Sequence, residues 1–188
     1  MDLATYHRRA CGEFDKRVTR VSSDAWARST PCTDWDVRAL VNHNTAENLW
    51  VPELLAGRSL ESVGDRFEGD VGGANPGGAW QATARAAVAA VDAAANRFDE
   101  KVRLSAGDMP IGEYVTQRGF DLLVHAWDLA RALGGDEGLP SDLVESSWEW
   151  AAPQVDAFAG TPFFGPPVRV PDDAPIQDRL LGLTGRHP

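Results

Sequence analysis

Apolar side chains recur every three to four residues in several long stretches of the chain, and turn-forming residues separate those stretches. Leu3, Tyr6, Ala10, Phe14 and Val18 share one face of a helix predicted over 3–21. A polar stretch follows and ends in Thr30-Pro31-Cys32-Thr33-Asp34-Trp35-Asp36. Thr33 and Asp36 have the spacing of a capping box, which predicts a second helix over 34–56 stopped by Gly57. Residues 58–78 are rich in Gly, Asp and Ser, close on Asn75-Pro76-Gly77-Gly78, and read as a loop. An alanine-rich helix is predicted over 79–98, a polar break at 105–110, and a further helix over 111–133 ended by Gly134 and Gly135.

A fifth helix is predicted over 141–158, with Ser141 as its cap. Pro162, Pro166, Pro167, Pro171 and Pro175 make the tail mostly extended, with one last helical turn at 176–183. No strand alternation is long enough to predict a sheet, and no segment repeats. The fold expected is all-α: an antiparallel four-helix bundle with an additional C-terminal helix and a Pro-rich tail. The domain expectation is a bundle over 1–160, with residues 161–188 as a tail packed on it.

Composition narrows the function. The 188 residues carry a formal net charge of −10, which argues against a nucleic-acid or anionic-membrane partner, since both need a basic face. No apolar run approaches the roughly 20 residues of a membrane span, and the N-terminus shows no signal-peptide pattern. Cys11 and Cys32 are too few for a disulfide framework. A soluble cytoplasmic protein is expected. Trp80, Phe163 and Phe164 are the aromatics available for a homodimer contact.

The chemistry concentrates in Arg118-Gly-Phe-Asp121-Leu-Leu-Val-His125-Ala-Trp-Asp128-Leu-Ala-Arg131. On a helix, Arg118, Asp121, His125 and Asp128 form one stripe. The residues around it are nearly all apolar, so the stripe is expected to face the bundle interior. A buried carboxylate or imidazolium is costly unless it is paired or bound to metal. Asp121 and His125 have the i, i+4 spacing by which a helix offers two ligands to one cation, and a third ligand must come from another helix. His7 and His187 lie near the chain ends, whereas His43 falls in mid-helix with Glu47 one turn on.

The ligand set read from the residues is therefore His43, Asp121 and His125, with Asp128, Arg118 and Glu47 in support. Two imidazoles and one carboxylate with a position left open is the pattern of a catalytic zinc, and it also suits Fe(II), Ni(II) or Mn(II). A buried Asp–His hydrogen bond without metal is the competing reading. Cys11, Cys32, Trp35, Trp50, Trp148 and Trp150 read as packing residues, and Trp127 as packing or a pocket wall.

Two stretches carry a family resemblance. Thr30-Pro31-Cys32-x-x-Trp35-x-Val37-Arg38-x-Leu40-x-x-His43 and Asp121-Leu-Leu-Val-His125-x-Trp127-Asp128-Leu129-Ala130 resemble the signatures of the DinB/YfiT-like superfamily. Within it they are most similar to the actinobacterial metal-binding branch related to mycothiol-dependent maleylpyruvate isomerase. The tail from Phe164 through Asp178 to Arg186 resembles the same branch. The resemblance implies a DinB-type bundle holding one divalent metal, zinc or nickel, at positions that fall on His43, Asp121 and His125. It also implies a low-molecular-weight thiol cofactor such as mycothiol or bacillithiol, activated at the metal against a small electrophile. The function expected is a thiol-dependent S-transferase or isomerase; a non-catalytic metal-binding or regulatory module of the same fold is the alternative. The isomerase carries Glu where this chain has Asp121, and has a second domain where this chain has a short Pro-rich tail, so maleylpyruvate isomerisation itself is not expected.

Overall fold

A computed structural model describes residues 1–105, 107–155 and 164–188. The first helix, α1 (Leu3–Val18), starts at Asp2, whose carboxylate accepts hydrogen bonds from the Thr5 amide and hydroxyl at 2.9 and 2.8 Å. The expected apolar face is buried. His7 is buried with it at 1% exposure, so its place near the chain start does not leave it in a loose end. The helix stops at Val18, and residues 19–21 continue only as tight turns.

Helix α2 (Val37–Leu55) begins later than expected, because its cap is Asp36 and not Thr33: the Asp36 carboxylate accepts from the Ala39 amide at 2.8 Å. The Thr33 residue belongs instead to a closed loop. Thr30 Oγ1 donates to the Trp35 and Cys32 carbonyls at 2.8 and 3.2 Å, the Trp35 amide donates to the Cys32 carbonyl, and Ser29 bridges to Asp36. Within the expected 58–78 loop lies one helical turn, α3 (Leu60–Val63), capped by Ser59. The rest is laced to α2, where Asn42 Oδ1 accepts from the Val71 and Gly72 amides and Arg38 pairs with Asp70.

Helix α4 (Pro76–Ala93) starts three residues before the expected 79. Asn-Pro-Gly-Gly reads as a turn in sequence, yet Asn75 caps the Gly78 amide at 3.0 Å and Pro76 occupies the first helical position, where a missing N–H costs nothing. After α4 the expectation of no sheet fails. Strands β1 (Lys101–Leu104) and β2 (Gly107–Pro110) pair antiparallel, Lys101 against Pro110 and Leu104 against Gly107. Four residues per strand, with only Val102 buried, are too few for alternation to be visible in the sequence. Helix α5 (Ile111–Leu133) has the bounds expected and ends on Gly134 at φ 66°.

The described chain separates into two compact units, Met1–Asp136 and Glu137–Pro188. The first is a four-helix bundle in which α1 packs on α5 and α4, and α2 packs on α4 and α5. At one end of it Val51, Leu54, Leu55, Val91, Ile111 and Val115 close a shared apolar cluster with Val102 of the hairpin. Gly119 of α5 lets Tyr6 of α1 lie close, for any Cβ there would collide with the tyrosine ring. Trp80 is no surface contact: it is fully buried, 4.5 Å from the Phe14 ring, with Nε1 donating to Asp15 at 3.0 Å.

In the second unit α6 (Ser141–Ala151) continues into a short 3-10 turn, Ala152–Gln154. Its cap position is Pro140, with Ser141 already helical, so the expected hydroxyl cap is absent. The end of this helix at 158, the boundary expected at 160/161 and Phe163 lie outside the described residues. Helix α7 (Ile176–Leu183) packs on α6, and the Arg179 guanidinium lies 4.4 Å over the Trp148 ring. No helix among the described residues is long and apolar enough to cross a membrane.

Candidate metal centre

The polar stripe of α5 meets one edge of α2. Asp121 and His125 stand one turn apart on α5, and His43 reaches them from α2. His125 Nε2 lies 3.3 Å from Asp121 Oδ1, and His43 Nε2 lies 3.5 Å from Asp121 Oδ2. The two imidazoles meet edge to face, with ring centroids 5.3 Å apart. One nitrogen from each ring and one carboxylate oxygen lie within 4.8 Å of one another. Three donors from two helices thus converge on a common point, and their chemistry, two imidazole nitrogens and a carboxylate, suits zinc, nickel or iron(II). The residues fit a divalent cation.

A supporting layer orients these donors. His125 Nδ1 is 2.8 Å from Asp128 Oδ2, and Asp128 is fully buried. That contact takes up Nδ1 and leaves Nε2 facing Asp121. Arg118, one turn before Asp121 and itself buried, donates from Nη1 to Asp121 Oδ2 at 2.7 Å. Glu47 is not part of the donor group among the described residues; its charge acts instead on Arg118 and Tyr114.

Electrostatics follow from this packing. Burial works to raise the Asp121 carboxyl, but the His125 charge, hydrogen bonds from His125 and His43, and Arg118 hold it well below the usual carboxylate range. Burial works to lower His125, but Asp121 and hydrogen bonds with Asp121, Asp128 and Cys32 push it well above the usual histidine value. Between themselves the two residues form an imidazolium–carboxylate pair.

Two residues read as packing belong to this centre. Trp35 stacks on His43 with centroids 4.6 Å apart and planes 32° from parallel, and reaches His125 at 5.8 Å. Cys32 Sγ donates to Asp128 Oδ2 at 3.3 Å and lies 3.9 Å from His125 Nδ1. Both come from the loop that Thr30 closes ahead of α2. The one signal available in sequence was the Cys32-x-x-Trp35 pair placed just before the helix that carries His43. Trp127 is buried in the bundle under the Arg131 guanidinium, 4.1 Å from its ring centroid. Cys11 is buried 3.9 Å from His7 Nε2.

A four-helix bundle with an inward histidine–carboxylate cluster at one edge defines a DinB-like protein. Residues 7–130 match the family described as the mycothiol maleylpyruvate isomerase N-terminal domain, and the chain belongs to that family. It is 28% identical to two uncharacterized proteins of Mycobacterium tuberculosis, MT0763 of strain CDC 1551 and Rv0738 of strain H37Rv, covering 99% of this chain and 98% of each relative. The crystal structure of the mycothiol-dependent maleylpyruvate isomerase superposes with a TM-score of 0.61 at 16% identity, over 81% of this chain and 68% of the enzyme. A histidine-to-alanine mutant of that isomerase superposes at 0.57 and 15% identity, over 77% of this chain and 65% of the mutant. The chain thus spans about two thirds of the isomerase's length.

Proposed function

We propose that this protein binds one divalent cation through His43, Asp121 and His125, and uses it with mycothiol or a thiol of that class to transfer or isomerise a small electrophile. The observation that carries the reading is the convergence of one nitrogen each from His43 and His125 with an Asp121 oxygen within 4.8 Å, with Asp128 engaging the far side of His125. The family supports the thiol, since the isomerase that names it depends on mycothiol. When bound, the cation would supply Lewis acidity that lowers the pKa of a thiol in its open position.

The chain's own part is positioning. By engaging Nδ1, Asp128 would keep the His125 Nε2 as the nitrogen that turns its lone pair to the centre once its proton is displaced. Arg118 pins one Asp121 oxygen and leaves the other turned toward His125. Three protein donors leave room for a small ligand, as in catalytic rather than sealed sites. The reaction proposed is a transfer or isomerisation on an electrophile other than maleylpyruvate. We infer a cytoplasmic setting, where such thiols stay reduced, in keeping with Cys11 and Cys32 being unbridged.

The test is elemental analysis of untagged protein beside the His43→Ala/His125→Ala double variant, followed by transfer of mycothiol to a chromogenic electrophile. About one cation per chain in the parent, none in the variant, and turnover only in the parent is the expected result. A metal-loaded parent with no turnover on any thiol leaves the non-catalytic module, and no metal in either protein overturns the centre itself.

A further inference from the structure

We propose that Trp35 is the positioning residue of His43, doing for that ring what the Asp128 carboxylate does for His125; the inference rests on the metal reading above. The two imidazoles are held in different ways. His125 is buried, and its second nitrogen is engaged at 2.8 Å. The His43 side chain is 28% exposed at the edge of α2, and among the described residues no hydrogen bond holds its Nδ1. Metal-binding histidines nearly always give that second nitrogen to a carboxylate, carbonyl or water, which sets the ring plane. At His43 the protein group packed on the ring is an aromatic face. The indole of Trp35 covers it at 4.6 Å, and turning the imidazole toward solvent would break that stack.

The platform is tied by its own hydrogen bonds. The Trp35 amide donates to the Cys32 carbonyl at 2.9 Å, and its carbonyl accepts from Thr30 Oγ1 at 2.8 Å. The next residue, Asp36, caps α2 and pairs with Ser29. The same indole lies 5.8 Å from the His125 ring, so one aromatic side chain touches both nitrogen ligands of the centre. This loop therefore supports both histidines, Trp35 through ring faces and Cys32 through Asp128.

The experiment is a zinc titration of chelator-stripped, untagged protein against a chromophoric competitor, for the parent, Trp35→Ala, Trp35→Leu and Trp35→Phe, with helix content checked by circular dichroism. Trp35→Leu keeps most of the packing volume without a π face, and carries the test if Trp35→Ala does not fold. Loss of the platform should weaken zinc binding roughly 10–100-fold, the range seen when a ligand's orienting partner is removed. Trp35→Phe should bind close to the parent. Nickel, which quenches nearby indoles, should quench parent fluorescence by an amount that Trp35→Phe largely loses. A leucine variant that binds zinc as tightly as the parent overturns the Trp35 role alone, as does a phenylalanine variant no better than leucine. A parent that binds no cation overturns the metal reading, and this inference with it.

Discussion

The His125 imidazole and the Asp128 carboxylate, three residues apart on α5, meet at 2.8 Å in the bundle interior, and Asp128 has no exposed surface. This places a carboxyl group behind the ring and leaves its front nitrogen toward Asp121. The contact predicts the first outcome. Asp128→Asn should keep the fold and lower cation affinity roughly 10–100-fold, because an amide neither enforces the tautomer nor raises ligand basicity. Competition with a chelator measures it, and unchanged affinity would remove Asp128 from the centre.

Cation uptake should release a proton. His125 is held well above its ordinary value, so it is protonated at neutral pH, whereas Asp121 is held well below its own and is already ionised. The cation must therefore displace one proton, from His125, and affinity should rise about tenfold per pH unit until His125 is neutral on its own. Calorimetry in two buffers of different ionisation heat should report about one proton per cation. No release would show that His125 is already neutral.

Arg118 and Asp121 make a largely buried ion pair at 2.7 Å, with Arg118 only 5% exposed. Arg118→Met removes the cation and leaves the carboxylate with the imidazoles alone, which should cost about 3 kcal/mol of stability. Bound zinc offers Asp121 a replacement charge, so the gap between variant and parent should narrow at saturating zinc. Denaturant unfolding with and without zinc checks both parts. An equal gap in the two conditions would separate Arg118 from the metal ligand.

His7 sets an acid limit on the bundle. Burial first, and then the Arg118 and Arg8 charges, push its pKa down to about 3 from 6.5. The folded state keeps His7 neutral while the unfolded chain gains a proton below pH 6.5, so its contribution is present above 6.5 and lost as pH falls toward 3. Between pH 7 and pH 5 this amounts to about 2 kcal/mol. His7→Gln should flatten that part of the stability profile, read by urea unfolding at a series of pH values.

Much of this was legible in the chain itself. Helix α5 announces its bounds because Pro110 precedes it, a nearly all-round apolar run fills 120–133 and Gly134 follows, and these signals are local. The shared stripe of Arg118, Asp121, His125 and Asp128 is equally local, since helical spacing alone puts them on one side. His43 could be chosen among the histidines by its mid-helix place. Other features depend on how the backbone returns on itself. Thr33 looks like a cap until Thr30 ties the loop and hands the role to Asp36. The hairpin Lys101–Leu104 with Gly107–Pro110 is too short to show alternation.

What the sequence determined by itself was the long bundle helices and the donor types on α5, because both follow from spacing along one continuous element. What only tertiary structure decided was the company those donors keep. Trp35 against His43, Cys32 against Asp128, and His7 sealed at 1% exposure all arise from contacts between segments far apart in the chain or from a loop closed by its own hydrogen bonds. Burial and partner geometry belong to the packed bundle, and no local pattern encodes them, because the energy of a buried charge or ring is set by whatever the other helices bring to it.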